Sequence, residues 1–259
     1  MIRNRTNCFV TELYRLFTKK EAYLGMAGVA LALFLSVGSW EDITDSVVYT
    51  MMLSTYNTGF LLAFVFCALP YGSVFCDDLE HHYIRYAVNR GGLWKYVTAK
   101  MAVIFLSSVW TMAAGCILFA LACSLKLPWL EEQTIRNVLF GGSYVGLLEN
   151  GNYIGWAGLY GMQWGLFGGC LSLMSSYLSL FLSNKLFVLA MPVLLYQIIV
   201  EVGTNTFRKY SMLDPLLIFD GRYKLFSSDG AVLLWACAVG LCCYVIFCIA
   251  VYRKLKKRM

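Results

Sequence analysis

The side chains most able to do chemistry lie in one internal block of charge, residues 76–100, which has a long apolar run on either side. This central segment contains His81 and His82, the only histidines in the sequence. Because adjacent residues point to different faces of a helix, the pair makes a poor metal site, and we interpret both as solvated loop residues. The sequence has no H-E-x-x-H, no G-x-S-x-G and no G-x-x-x-x-G-K-[ST]. It therefore predicts no catalytic residue, no metal site and no nucleotide held by this chain.

The ten cysteines fall mostly inside apolar runs, and none of them forms a C-x-x-C pair. A free cysteine packs as a small hydrophobic residue. We therefore expect neither a disulfide framework nor a thiolate metal site.

Composition places most side chains in lipid. Hydrophobic residues make up 59% and charged residues 14% of the 259 residues, whereas globular proteins carry roughly 25% charged residues. Apolar runs of about 20 residues, each long enough to cross a bilayer as a helix, recur along the whole length. We expect an all-α membrane protein with one transmembrane domain over residues 1–259. The first apolar run begins only near Tyr23, behind a mixed segment, so no cleavable signal peptide is expected.

The net charge is +6, and the Lys and Arg residues collect at the N-terminus, in the loop after the second span and at the C-terminus. Basic residues beside membrane spans mark the cytoplasmic side, so this distribution argues against nucleic-acid binding and places both termini in the cytoplasm. An even number of spans is then required. Six are expected, at residues 23–37, 56–75, 101–124, 153–182, 186–202 and 231–252.

Residues 1–21 predict an interfacial helix that lies on the membrane. Its apolar face carries Phe9, Val10, Leu13, Leu16 and Phe17, and its charged face carries Glu12, Arg15, Lys19 and Lys20. Lysines on such a face can meet anionic lipid headgroups. An ordinary charged flank before the first span is the alternative.

Small residues recur every four positions in the fourth expected span, at Ala157, Gly161, Gly165 and Gly169. This spacing forms one stripe on a helix and allows two helix backbones to approach closely in lipid. The stripe predicts packing against another helix of the same subunit. A seam between subunits and a path for substrate are the alternatives.

Residues 203–230, between the last two expected spans, are too apolar in the middle for a plain loop. Residues 212–219 predict a short re-entrant element in the outer leaflet, where non-helical backbone must be covered by protein or water. Near the inner end of the second span, Pro70 predicts either a loosened last turn or a proline tolerated at a helix end.

Charged residues are almost absent from the middle of the expected spans. Asp77, Asp78, Lys100 and Glu201 all lie near span ends, where water reaches. A transporter driven by protons or sodium would need ionisable groups at the midplane. If this chain takes part in transport, the sequence favours an external source of energy.

The central segment has the pattern of a docking helix followed by a Gly91-Gly92 break. Leu79, Tyr83, Tyr86 and Ala87 share one apolar face, while Glu80, Arg85 and Arg90 can project towards a soluble partner. A short helix of this kind can insert into a groove on that partner.

The order of elements resembles that of the permease subunits of ABC-2-type ATP-binding-cassette exporters. In that family the segment between spans two and three has an acidic start, an amphipathic helix, a Ser/Thr-Arg pair and a lysine that opens the next span. Asp77-Asp78-Leu79-Glu80, Asn89-Arg90 and Lys100 stand in those places. The asparagine and the Gly-Gly pair depart from the pattern. Leu213-Asp214-Pro215-Leu216 is similar to the proline-bearing re-entrant segment of the family.

The resemblance implies a plasma-membrane permease that pairs with a second permease chain, identical or related. Each copy would bind a separate ATPase subunit, which would hold ATP and Mg²⁺. The residues expected to couple to that ATPase are Asp78, Glu80, Tyr83, Arg85, Tyr86 and Arg90. A compact permease without a large outer domain is similar to those used for peptide export or bacteriocin (lantibiotic) immunity.

Two other classes fit parts of the sequence. An ATP-independent regulatory or assembly subunit would share the membrane architecture, but its central segment would tolerate charge reversal. An intramembrane enzyme would need clustered His, Glu or Asp residues within its spans, and the sequence does not supply them.

Overall fold

The computed structural model describes residues 8–38, 46–81, 83–84, 88, 92–131, 142–181, 184–206 and 211–258. Of these residues 83% are helical, and none of them lies in a strand, so the all-α class is confirmed. The helices are α1 Cys8–Thr18, α2 Lys20–Val37, α3 Val47–Tyr56, α4 Leu61–Ala68, α5 Val74–Glu80, α6 Leu93–Ser124, α7 Val145–Glu149, α8 Tyr153–Leu178, α9 Lys185–Thr206, α10 Pro215–Phe219 and α11 Asp229–Arg258. Short 3-10 turns occupy Thr58–Phe60 and Ser211–Leu213.

Four of the described helices are long and apolar enough to cross a membrane: α2, α6, α9 as far as Gly203, and α11. The pair formed by α3 and residues 58–68 passes the same test but bends by 80°, so it adds at most a fifth. The chain is thus compatible with a multi-pass membrane protein. Helix α8 has 26 residues, but its many glycine, serine and aromatic residues lower its hydropathy. Six crossings remain a prediction.

Helix α8 packs along α6 through the small-residue stripe. A Cβ atom added to Gly161 would lie 3.0 Å from the Cα atom of Ala113, and one added to Gly165 would lie 2.8 Å from the Cα atom of Val109. At Gly169 it would meet the ring of Phe105 at 2.6 Å. Ala157, the first member of the stripe, is buried. The stripe therefore faces a helix of the same chain.

The second expected span is interrupted twice. Asn57 separates α3 from the turn that leads into α4, and its side-chain amide donates to the backbone oxygen of Ser36 at 2.7 Å. Helix α4 ends at Ala68, and residues 69–73 form a turn around Pro70 before α5 begins. The proline therefore lies in a break between two helices, because its ring and missing N–H do not suit a continuous helix.

Two details of the sequence analysis are wrong. Glu12 does not lie on an exposed charged face of α1: it is buried, whereas Val10 and Phe17 are exposed. Helix α6 begins at Leu93 rather than at residue 101, after Gly92 with its positive φ of 82°. Lys100 is consequently inside the helix and fully buried rather than in a wet flank. Asp78, which was also expected where water reaches, is buried as well. Glu12, Asp78 and Lys100 meet in one ionic cluster.

Candidate functional site

The buried ionic cluster consists of Glu12 from α1, Tyr71 from the turn after α4, Asp78 from α5, and Tyr96 and Lys100 from α6. Each of these residues is at most 6% exposed. The cluster brings together parts of the chain that are up to 88 positions apart. Asp78 lies near the beginning of the central segment and Lys100 at its end, so the cluster connects the two ends.

Lys100 is the centre of the cluster. Its Nζ atom donates to Oδ2 of Asp78 and lies 3.9 Å from Oε1 of Glu12. The hydroxyl of Tyr96 donates to the same oxygen of Asp78, and the hydroxyl of Tyr71 donates to Oε2 of Glu12. One cation and two phenols thus hold two carboxylates that belong to different helices.

Arg15 completes the charge balance at the edge of the cluster. Its Nη1 atom lies 3.5 Å from Oε1 of Glu12, and its side chain is 46% exposed. Removing a charge from water is costly unless it is paired and hydrogen-bonded. The hydroxyl of Tyr71, which donates to Oε2 of Glu12, provides part of that hydrogen bonding.

Helical spacing explains why these side chains converge. Tyr96 and Lys100 are four residues apart and therefore share one face of α6. On α5, the adjacent Asp77 and Asp78 point in different directions, so one enters the cluster and the other does not. Asp78 and the end of α5 are therefore fixed to α6 through Lys100.

Asp77 and Glu80 join α5 to α9 by a second, exposed contact. The Nζ atom of Lys185 lies 2.8 Å from Oδ1 of Asp77 and 3.0 Å from Oε2 of Glu80. All three side chains are partly open to solvent. Exposed ion pairs of this kind contribute little to stability, because water already solvates the charges. This contact can therefore open at low cost, whereas the ionic cluster cannot.

The predicted coupling residues have different surroundings. Asp78 is buried, so it can act on a partner only through the ionic cluster. Glu80 is exposed and paired with Lys185, and Tyr83 is 44% exposed. Arg85, Tyr86 and Arg90 lie outside the described residues.

Sequence reasoning did not identify Glu12, Tyr71 and Tyr96 as site residues, and it assigned Lys100 only to the opening of a span. Two signals were available. Glu12 stands between apolar residues of α1, and Lys100 precedes a long apolar run without any further charge. Neither signal names the partner residue, because the contact depends on tertiary packing. Among the described residues, no group of three His, Cys, Asp or Glu side chains could hold a metal ion.

A second polar cluster lies beside the N-terminal half of α8, around the segment that contains α10. The side-chain amide of Gln163 donates to the backbone oxygen of Ile218 at 2.8 Å and accepts from the hydroxyl of Tyr144 at 2.8 Å. Asp220 is fully buried and binds the guanidinium of Arg222 through both carboxylate oxygens. The bond from Gln163 to Ile218 anchors the segment against α8, where the ring of Phe219 also stacks on Phe167. The pair of Asp220 and Arg222 stabilises the turn that follows α10.

Asp220→Ala should lower the stability of the protein by about 2–3 kcal/mol, because the largely buried guanidinium of Arg222 would lose its only carboxylate among the described residues. The midpoint of denaturation in detergent measures this loss. The matched control is Lys224→Ala, which removes a pair with Asp229 that is partly open to water on both sides. Equal effects of the two substitutions would contradict a stabilising role of the buried pair of Asp220 and Arg222.

Comparison of the chain with protein-family models, with curated proteins and with solved structures gave no match. The functional argument therefore rests on the geometry of this chain.

Proposed function

We propose that this chain is the transmembrane permease subunit of an ATP-binding-cassette exporter of the ABC-2 type. It would move a peptide, a lipid-like molecule or another amphipathic substrate with energy from a separate ATPase subunit. It would lie in the plasma membrane with both termini in the cytoplasm. The observation that carries the proposal is the ionic cluster, which joins the two ends of the central segment to each other and to α1.

Contacts at the helix ends support alternating directions for the first four of the six proposed crossings. Glu12, Tyr71 and Lys100 meet at one end of the bundle. At the other end Ser36 meets Asn57, and Trp129 stacks on Tyr153. The crossings would be α2, the broken segment 58–80, α6, α8, α9 and α11. The ionic cluster would then lie on the cytoplasmic side, and α10 would enter the membrane from the outside.

The ionic cluster gives the central segment a mechanical role. A partner that presses on residues around Tyr83 would move α5, and Asp78 would transmit the movement to α6 through Lys100. Glu12, held by the same lysine, would move with them. The exposed pair between Lys185 and Glu80 would break and re-form as α5 moves relative to α9.

The movement can then reach the far side of the membrane. Helix α6 contacts the glycine stripe of α8 along three turns, and α8 supports the segment around Ile218 and Asp220. The glycines at positions 161 and 165 place α8 directly against the backbone of α6, so a shift of α6 would be passed on to α8. A push at the cytoplasmic end would thus open or close an outer exit.

Glu80 provides a test of the partner contact. Glu80→Lys should abolish retention of the ATPase subunit when the full-length chain is purified in mild detergent. The double variant Glu80→Lys/Lys185→Glu restores the ion pair within the chain but still presents the wrong charge at position 80. We expect it to remain defective.

The control variant is Asp77→Asn, which weakens the same ion pair without changing Glu80. It should retain the ATPase subunit. If the double variant regains full binding, Glu80 serves only the contact with Lys185. If all three variants bind like the wild type, the central segment is not the docking site.

A further inference from the structure

Helix α9 exposes a polar stripe within an apolar helix. Of the residues in its apolar stretch only 17% are buried, against 56% for α6. Gln197, Glu201 and Asn205 recur every four positions on the exposed side of α9. The other exposed residues of its middle and far end include Ala190, Leu194, Ile198 and Val202.

Gln197 lies where lipid is a poor environment for an amide. It follows Lys185 by twelve residues, which is about 18 Å along the helix axis, within a hydrocarbon core of roughly 30 Å. The side chain of Gln197 makes no hydrogen bond to any described residue of the chain, whereas Asn205 donates to the backbone oxygen of Glu201 at 2.9 Å. An amide with no partner in hydrocarbon is unfavourable. The exposed side of α9 should therefore pack against a surface that offers a hydrogen-bonding partner for Gln197.

We propose that this face of α9 is the seam with a second copy of the same chain, with Gln197 of one copy hydrogen-bonded to Gln197 of the other. A glutamine amide carries both a donor and an acceptor, so it is complementary to an identical amide across a two-fold axis. Glutamine side chains stabilise helix pairs in membranes in this way. The apolar residues beside Gln197 would pack around the polar contact.

The exposed side of α11 provides the contrast that selects α9. Only 22% of the residues in its apolar stretch are buried, so it is nearly as open as α9. Its exposed positions in the middle are Leu234, Ala238, Leu241, Cys242, Val245, Ile246 and Ile249. Lipid tails cover such a surface without cost, and it contains no amide that needs a partner. We therefore assign α11 to lipid.

This inference rests on the proposed function in one respect: it names the surface that joins the two permease chains. It can be tested on the purified full-length chain alone, without an ATPase subunit. A failure of self-association would thus leave the coupling role of the central segment standing. A failure to bind an ATPase would leave the α9 seam standing.

The first measurement is oxidative cross-linking of Gln197→Cys in liposomes, in a background in which the exposed Cys8 and Cys242 are replaced by serine. We expect a covalent dimer. Leu241→Cys in the same background should remain monomeric. Equal cross-linking at the two positions, or none at position 197, would overturn the assignment.

The second measurement is the monomer–dimer equilibrium of the native sequence and of Gln197→Leu in liposomes, followed by single-molecule photobleaching. Because residue 197 faces away from its own chain, the variant should fold normally, and its thermal denaturation verifies this. We expect the dimer dissociation constant to rise at least tenfold, and Gln197→Asn to restore part of the association. An unchanged equilibrium in Gln197→Leu, or a monomeric native chain, would refute the seam.

Discussion

Replacing Lys100 with methionine will destabilise the protein by about 3–5 kcal/mol, because a buried ion pair that loses one partner leaves an uncompensated charge. Here two carboxylates, those of Asp78 and Glu12, would lose their shared cation. Methionine fills nearly the same volume as lysine, so packing is largely conserved. The loss of stability therefore measures the effect of removing the positive charge. The free energy of unfolding in detergent measures it.

Two controls separate this effect from a general intolerance to substitution. Lys185→Met removes a lysine from an exposed ion pair, so its effect should be small. The double variant Lys100→Met/Asp78→Asn removes one of the stranded charges and should recover part of the lost stability. A Lys100→Met variant as stable as the native chain would show that the ionic cluster does not fix α5 to α6.

Gly165→Ala will cost about 1–3 kcal/mol, in the range observed when a packed interior must accept an extra methyl group. The new Cβ atom would lie 2.8 Å from the Cα atom and 2.9 Å from the carbonyl oxygen of Val109. Both are backbone atoms of α6 and cannot rotate away. The two helices would therefore have to separate, and the movement between them should be impaired together with stability.

Gly158→Ala is the matched control for this substitution, since it makes the same change in the same helix. The nearest atom to its new Cβ is Cδ1 of Ile117, at 3.4 Å, which is an ordinary contact. Alanine favours a helix over glycine by up to about 1 kcal/mol, so this variant should be as stable as the native chain or more stable. If the two variants are equally stable, the close approach of α8 to α6 at Gly165 does not contribute to stability.

The features that local spacing predicts are those that depend on one helix at a time. The four-residue recurrence from Ala157 to Gly169 indicated a close helix contact, and Gly165 indeed lies on the backbone of α6. The apolar runs identified the helical class. Both signals are periodic along the sequence, so no knowledge of distant residues is needed to recognise them.

The features that could not be predicted depend on distant residues or on backbone direction. Glu12 meets Lys100 only because α1, α5 and α6 converge, and nothing near Glu12 in the sequence indicates that contact. Helix α3 was not predicted at all. Its apolar residues are followed by Asn57, Thr58 and Gly59, which mark a break. The 80° angle of the bend depends on how the two helices pack, and the break signal does not indicate it.

The most direct test of the proposed coupling is the ATPase activity that co-purifies with the full-length chain from its native membrane, measured in nanodiscs. We expect a soluble ATPase subunit to be retained, and Glu80→Lys to remove it or to uncouple its hydrolysis from the membrane chain. A well-folded wild-type chain with no nucleotide-hydrolysing partner would contradict the proposed coupling. It would instead favour a membrane subunit that works without ATP.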